Sequence, residues 1–422
     1  MPDYKRKHRS RFKTAPKLNK KRIKKQESQD IKMTPQNSKS QPKTNMRVVT
    51  GKKLEQKRRF KLFSKAFTVV LVILLFCQLL MPAGIIENAS NFIAAFGGGS
   101  YPIELESNDT VNTVVKGNYY YILTDTKINA FSKEGKLIYS YAHGFENPVL
   151  KTSSTRALVF DQGSNNAMIF TLNNLKSNIS IKEKIINANI AENGTYALVT
   201  TSQSYVAKVS VYKKNDQLIY EWFSSDDLVN NVAISPTGKK IAVTTLTSKT
   251  GQYSSKVLVL SFKSATPIYK KEYDNTLITA IDSSNSGGFS VITPECYNFI
   301  SWSKFKIREY KNEYRATMFR SSKSGLIIVY NRKNDKTDNR IVVLSKKGKF
   351  KKEIKFKGII TDIALFSGQV YCISDTKAYI INEDGKALRS ADCGFGVARM
   401  VVLGQNVIAA ITDNEINKIK LK

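Results

Sequence analysis

Histidine is scarce in this chain, which restricts the chemistry that its side chains can perform. Among 422 residues, only His8 and His143 are histidines. A Ser-His-Asp triad or a multi-histidine metal site would have to be built around one of these two residues. His143 lies in the sequence HGFENP, in which Gly and Pro punctuate a turn. This composition favours a backbone-capping role for His143, with partner binding as the functional alternative.

Aspartates recur at one position of a repeating pattern, because Asp125, Asp161, Asp375 and Asp413 each follow a short apolar segment. Hard cations need several oxygen ligands that converge on one point, whereas equivalent positions in successive repeats are spread apart. Turn capping therefore explains these carboxylates better than a metal site. No Gly-rich phosphate loop, GxSxG elbow or nucleotide fingerprint is present. The sequence predicts no catalytic residue, no metal site and no cofactor, so we expect a protein that is not an enzyme.

The spacing of the four cysteines does not indicate a disulfide framework. Cys77 lies in an apolar run, and Cys296, Cys372 and Cys393 have neither CxxC nor metal-type spacing. Cys372 lies within the strand-like sequence VYCIS. We expect Cys372 to be a small buried core residue.

The apolar run at residues 66–86 (AFTVVLVILLFCQLLMPAGII) predicts a transmembrane helix. Its 21 residues are enough to span the roughly 30 Å hydrocarbon core of a bilayer. Residues 1–65 contain 23 Lys and Arg against 4 Asp and Glu, and flanks rich in Lys and Arg stay in the cytoplasm. We expect a single-pass cell-membrane protein with a cytoplasmic N-terminus and an extracellular C-terminal domain. A cleaved signal peptide fits less well, because its apolar core would be shorter and nearer the start.

Composition divides the rest of the chain. Residues 1–65 are rich in Lys, Gln, Ser and Asn, which predicts a disordered basic cytoplasmic tail. Residues 87–99 (ENASNFIAAFGGG) are interpreted as a juxtamembrane linker that ends in a flexible Gly segment. Residues 100–422 are expected to form the folded domain.

The folded part repeats a strand–turn–strand pattern eight times. The second strands are centred on Leu123, Val159, Val199, Val243, Val291, Val329, Ile373 and Ile411, at intervals of 36 to 48 residues. Four strands per unit at this period are typical of propeller blades, and helical periodicity is absent. We therefore predict an all-β, WD40-like β-propeller, with eight blades favoured over seven blades and a cap.

Closure of the ring requires a strand from elsewhere in the chain. The eighth unit provides only three strands before Lys422, and residues 101–106 (YPIELE) form an isolated strand before the first unit. Pairing of this segment with the last unit would remove the exposed sheet edges.

Several segments resemble a known family. ISPTGKKIAV (residues 234–243) resembles the SPDGK hairpin of WD40-like propellers, with Thr237 in place of Asp. The order HGFENPVLK, RALVFDQG, EWFSSDD, ISPTGKKIAV and YSSKVLVLSF after an apolar run resembles an uncharacterised family of single-pass membrane-anchored propellers of Gram-positive bacteria, the domain of unknown function numbered 5711. The resemblance implies an N-terminal anchor and a propeller, and it implies no activity.

Two long second turns, at residues 245–256 and 331–340, are expected to project on the same face as the His143 connection. Loops on a rigid scaffold often bind partners, although tolerated surface variation fits equally well. The candidate binding residues are His143, Lys249, Tyr253, Lys256, Arg332, Lys336 and Arg340.

We expect a binding or scaffold module at the bacterial cell envelope, whose partner is an envelope protein or an anionic wall polymer. One alternative is an extracytoplasmic enzyme with a site in the central channel, which clustered carboxylates would support. Another is that the basic tail tethers nucleic acid or anionic lipid to the membrane. Apart from this tail, nucleic-acid binding is not expected.

Overall fold

The computed structural model describes residues 65, 67–69, 83–105, 110–249, 251–283, 287–322 and 324–422. The chain forms two compact units, Met1–Val72 and Ile73–Lys422, and all elements below belong to the second. The predicted tail, apart from Lys65, and most of the predicted span at residues 66–86 lie outside the described residues. Within the described part of the chain, no helix is long and apolar enough to cross a bilayer.

Helix α1 covers Ala83–Ala94. The segment 87–99, which the sequence suggested to be a linker, therefore begins with the last two thirds of this helix. Asn91 and Ala95 are buried against the propeller, and the amine of Lys136 donates hydrogen bonds to the carbonyls of Ala94 and Phe96 at 3.4 and 2.9 Å. These contacts attach the helix and its C-terminal end to the folded domain.

The strands form eight four-stranded antiparallel sheets, as predicted for an eight-bladed propeller. Blades 1 to 4 comprise β2 (Thr110–Lys116), β3 (Tyr119–Thr124), β4 (Lys127–Ser132) and β5 (Leu137–Ala142); β6 (Pro148–Thr152), β7 (Arg156–Asp161), β8 (Asn166–Thr171) and β9 (Leu175–Ser180); β10 (Ile185–Ile190), β11 (Tyr196–Thr200), β12 (Ala207–Tyr212) and β13 (Leu218–Ser224); and β14 (Leu228–Ile234), β15 (Lys240–Lys249), β16 (Gln252–Ser261) and β17 (Tyr269–Asp274). Blades 5 to 7 comprise β18 (Ala280–Asp282), β19 (Gly288–Ile292), β20 (Cys296–Ser301) and β21 (Ile307–Lys311); β22 (Arg315–Ser322), β23 (Gly325–Arg332), β24 (Asp335–Leu344) and β25 (Phe350–Lys357); and β26 (Ile360–Phe366), β27 (Gln369–Ser374), β28 (Lys377–Ile381) and β29 (Ala387–Asp392).

Blade 8 is built from both ends of the domain. It contains β30 (Arg399–Gly404), β31 (Val407–Ile411), β32 (Glu415–Lys420) and, as its outermost strand, β1 (Ile103–Glu104). Ile103 pairs with Ile416 and Glu104 with Glu415. This confirms the predicted closure by the segment at residues 101–106, because β1 covers the outer edge of β32.

The core lies between the blades. Second strands such as β3, β7, β11 and β19 are buried at every described position, because each lies between two neighbouring sheets and its alternating side chains enter both interfaces. Cys372 in β27 is fully buried, which confirms its prediction as a core residue. First strands of adjacent blades contact one another and surround the central channel.

Antiparallel pairing gives the propeller two different faces. Turns between the second and third strands, and the connections between blades, emerge on one face, which we call the hairpin face. The other two turns of each blade emerge on the opposite face, which we call the lysine face. Its described connections contain twelve lysines and five acidic residues, whereas those of the hairpin face contain three lysines and nine acidic residues. The twelve are Lys133, Lys136, Lys213, Lys214, Lys239, Lys263, Lys304, Lys306, Lys346, Lys347, Lys349 and Lys386.

Candidate functional site

The two segments predicted as long loops are extended β-hairpins. β15 and β16 pair without interruption from Lys240 and Ser261 to Lys249 and Gln252. In blade 6, β23 and β24 continue pairing to Arg332 and Asp335. The prediction of loops at residues 245–256 and 331–340 is therefore wrong in their local structure. Both hairpins emerge on the hairpin face, as does the connection that contains His143.

His143 is a structural residue of its connection. It is 5% exposed, its Nδ1 accepts a hydrogen bond from the backbone N–H of Phe145 at 3.0 Å, and its Nε2 lies 3.2 Å from the carbonyl oxygen of Thr124. Burial lowers the pKa of His143, and the Thr124 contact and the charges of Asp125 and Asp161 only partly oppose this shift. A neutral ring that is bonded on both nitrogens fits the backbone-capping role.

Three of the candidate basic residues are engaged within the propeller. Lys256 contacts Asp227 at 2.8 Å and its side chain is 18% exposed. Arg332 lies 3.8 Å from Asp338. The guanidinium of Arg340 lies 3.7 Å from Glu353 and 4.9 Å from the ring centre of Tyr314. These pairs leave less positive charge for an anionic partner than the composition of the hairpins suggests.

The ion pair between Lys256 and Asp227 also affects the pKa of the Asp227 carboxyl group. Burial raises the pKa of Asp227, but hydrogen bonds from Lys256 and Thr245 and the charge of Lys256 outweigh it, so that this pKa is lowered overall. The carboxylate of Asp227 therefore stays ionised at neutral pH.

Of the other candidate basic residues, Lys336 is exposed, and the side chain of Lys249 lies outside the described residues.

An apolar group on blades 3 and 4 was missed by the sequence analysis. Tyr205 and Phe223 have ring centres 4.9 Å apart. Together with Leu228, Tyr253 and Leu277 they are between 39% and 57% exposed. All five lie in or beside connections of the hairpin face. The signal that could have identified them is the presence of large apolar residues among the polar residues of these connections.

The central channel contains a cavity of about 1240 Å³. Among the described residues that line it, the acidic ones are Glu192 and Asp362. Asp362 is buried, lies 2.8 Å from the guanidinium of Arg320, and accepts a hydrogen bond from the N–H of Met400 at 2.8 Å. The clustered carboxylates that the enzyme alternative requires are therefore not among the described lining residues.

Polar side chains near the channel mainly join neighbouring blades. The amide of Asn187 donates to the carbonyl of Asn230 in the next blade at 2.8 Å, and the amide of Asn230 donates to the carbonyl of Ile278 at 3.2 Å. Lys151 in β6 is also enclosed, and burial lowers its pKa against the opposing charge of Asp282. The two amide bonds stabilise the inner ring because each pairs a backbone carbonyl with a side chain of the neighbouring blade.

The repeated aspartates serve turns where their contacts are described. A carboxylate oxygen of Asp161 accepts a hydrogen bond from the N–H of Asn147 at 2.8 Å. No group of three or more His, Cys, Asp or Glu residues suited to hold a metal occurs in the described ranges.

Solved structures with a similar arrangement have low sequence identity to this chain. BamB from Moraxella catarrhalis is 9% identical with a TM-score of 0.47, over 76% of this chain and 98% of that chain. Hydrazine synthase of Kuenenia stuttgartiensis is 10% identical with a TM-score of 0.42, over 77% and 99%. The Neurospora crassa Pan2 WD40 domain is 11% identical with a TM-score of 0.39, over 52% and 71%.

Family membership rests on sequence. No curated protein matches the chain significantly. The model of DUF5711, a family of unknown function, matches residues 100–421, which are the whole propeller. The resemblance to this family is thereby confirmed, and the predicted anchor lies outside the matched residues. The chain therefore belongs to the DUF5711 family.

Proposed function

We propose that this protein is a membrane-anchored binding or scaffold module, whose propeller presents its hairpin face to a protein partner at the bacterial cell envelope. The observation that supports this proposal most is the exposure of five apolar side chains in or beside the hairpin-face connections of blades 3 and 4, namely Tyr205, Phe223, Leu228, Tyr253 and Leu277. Exposed aromatic and aliphatic side chains that are clustered on one surface mark sites of protein association. Anchoring is supported by the apolar run at residues 66–86 and its basic flank.

The charge of the hairpin face favours a protein over an anionic wall polymer. Its described connections contain nine acidic residues and three lysines, and the best-placed basic side chains, Lys256 and Arg340, already contact carboxylates. A polyanion would meet net negative charge on this face. A partner with a neutral or basic surface around an apolar centre fits better.

A photocrosslinking residue at position 253 in the living cell, followed by a binding measurement, tests the proposal. Tyr253 is 46% exposed near the tip of the blade 4 hairpin. We expect one protein to be captured from position 253 and not from position 178, which is exposed on the outer strand β9 of blade 2. The captured protein is then purified and its affinity for the propeller is measured.

The affinity measurement compares the native chain with a shortened hairpin. Leu246 pairs with Ser255, so replacement of residues 247–254 by Asn-Gly closes the same two strands with a two-residue turn. We expect this change to weaken binding of the partner at least about tenfold, because it removes the side chain of Tyr253 from the proposed contact surface. The matched control replaces Asn178 by Ala. Equal affinity of the shortened and native chains would reject the hairpin face.

A further inference from the structure

Helix α1 fixes which side of the propeller adjoins the predicted anchor. The apolar run ends at residue 86, and the next residue, Glu87, contacts the guanidinium of Arg156 at 2.5 Å. Arg156 begins β7 beside a turn of the lysine face, and its guanidinium also donates to the carbonyl of Lys214 in another turn of that face. A chain that leaves the bilayer at residue 86 therefore meets the propeller on its lysine face. This step rests on the proposed anchor.

At residues 87 and 89–94, whose side chains are described, the polarity of α1 is reversed relative to an ordinary surface helix. Glu87, Ser90 and Asn91 face the propeller, where Glu87 bonds Arg156, Ser90 bonds Asn173 and the amide of Asn91 donates to the carbonyl of Thr155 at 3.0 Å. The large apolar side chains of Phe92, Ile93 and, just beyond the helix, Phe96 are 58%, 71% and 75% exposed. An apolar outer surface next to a predicted span is typical of a helix that lies in the membrane interface.

The rim of the lysine face repeats this combination of apolar and basic residues. At or beside the start of the fourth strand in six blades, one large apolar side chain is 41% to 58% exposed. These residues are Leu137, Leu218, Ile268, Ile307, Phe350 and Leu388. The connections before them contain most of the lysines of the face, including the exposed Lys346, Lys347 and Lys349 before Phe350. Lysines at headgroup depth attract anionic lipid while apolar neighbours enter the interface.

We propose that the lysine face of the propeller lies on the surface of a bilayer that contains anionic phospholipid. Phe92, Ile93, Phe96 and the apolar rim enter the interfacial region, and the lysines contact the headgroups. The exposed apolar residues favour a bilayer over a soluble polyanion, which would use the lysines alone. In this orientation the hairpin face points away from the membrane.

Quenching by brominated lipid in vesicles that hold the full chain tests the proposal. The vesicles contain phosphatidylcholine and phosphatidylglycerol at 3:1, with ordinary or acyl-brominated phosphatidylcholine. Two matched variants are compared with the native chain, Phe350→Trp on the rim of the lysine face and Phe395→Trp in a connection of the hairpin face, where Phe395 is 89% exposed. Native Trp222 and Trp302 contribute equally to all three chains.

We expect brominated lipid to quench the emission added by Phe350→Trp and to leave that added by Phe395→Trp unchanged. Joint replacement of Lys346, Lys347 and Lys349 by Gln should reduce the quenching, since it removes charge next to the reporter. If the emission added by Phe350→Trp were not quenched in chains that float with the vesicles, the docking of the lysine face would be wrong, while the proposed anchor would still stand. This conclusion would hold even if the lysine face bound soluble polyphosphate. Quenching of Phe395→Trp alone would assign the opposite face. A chain that fails to float with the vesicles would contradict the proposed anchor itself.

Discussion

The carboxylate of Asp362 joins three blades through its two oxygens. One oxygen lies 2.8 Å from the guanidinium of Arg320 in blade 6, and the other accepts the N–H of Met400 in blade 8. Asp362 itself belongs to blade 7 and is 3% exposed. A buried carboxylate with several donors stabilises the ring, and its removal leaves those donors without a partner.

Substitution of this carboxylate should destabilise the whole propeller. We expect Asp362→Ala to lower the free energy of unfolding by about 2–4 kcal/mol, because Met400 N–H and Arg320 lose their acceptor. Urea unfolding of the purified chain measures this change. Asp384→Ala, at an exposed turn of blade 7, serves as the control. Equal stability of the two variants would show that Asp362 does not link the blades.

Docking of α1 should depend on pH through Glu87. Burial raises the pKa of Glu87, but the hydrogen bonds and charge of Arg156 outweigh it, so that the pKa in the docked state is lowered. A lowered pKa means that the contact is fully present above the ordinary pKa of Glu, about 4.3. It is lost as pH falls below that value and through the docked pKa.

We therefore expect amide exchange in α1 to accelerate below about pH 4, relative to the intrinsic rate, while the propeller strands stay protected. Glu87→Gln should speed exchange of α1 at neutral pH and remove this pH dependence. Glu146→Gln, at an exposed position of the hairpin face, should do neither. Exchange of α1 that is independent of pH in the native chain would contradict the role of the ion pair.

The short strand β1 completes the outer edge of blade 8. Ile103 contributes to the cluster between blades 8 and 1, in which Leu105, Ile122 and Ile411 are buried. Deletion of residues 101–106 should expose the edge of β32 and lower the melting temperature of the entire domain, because the strand that connects the start of blade 1 to the outer edge of blade 8 is then missing. Calorimetry and size-exclusion chromatography measure this effect. An unchanged melting temperature with a monomeric chain would contradict closure by β1.

The second strands and their closure could be predicted because burial leaves a clear pattern in them. RALVFD and YALVT are apolar or β-branched at nearly every position, and β7 and β11 are buried throughout. The extension of the blade 4 hairpin has no such pattern, since TSKTGQYS is mostly polar. Its strands continue by cross-strand hydrogen bonding beyond the core. Hydrophobic periodicity in the sequence does not identify strands that have no buried side.

The helical structure of residues 87–94 was not predicted, for a related reason. A surface helix is recognised by an apolar stripe that packs on the protein, whereas α1 packs with Glu87 and Asn91 and exposes Phe92 and Ile93. The ion pairs of Lys256 and Arg340 could not be predicted either. Their partners, Asp227 and Glu353, are distant in sequence and meet them only in the folded sheets.

At the scale of the whole molecule, charge is divided between the two faces. The described connections of the lysine face have an excess of lysine, and those of the hairpin face have an excess of Asp and Glu. In the arrangement that we propose, this division would orient the propeller on an anionic bilayer, because attraction at one face and repulsion at the other act in the same sense. The exposed apolar group around Tyr253 is then directed toward partners outside the membrane.

Cleavage at the tip of the blade 4 hairpin in wall-stripped cells tests whether the anchored propeller presents its hairpin face outside the cell. A protease recognition sequence is inserted between residues 250 and 251, where the hairpin turns and insertions are best tolerated, in a chain with a tag at Met1. We expect protease added outside intact cells to cleave this site while the tag stays protected until the cells are lysed. Cleavage only after lysis would contradict an anchored propeller that presents its hairpin face outside the cell.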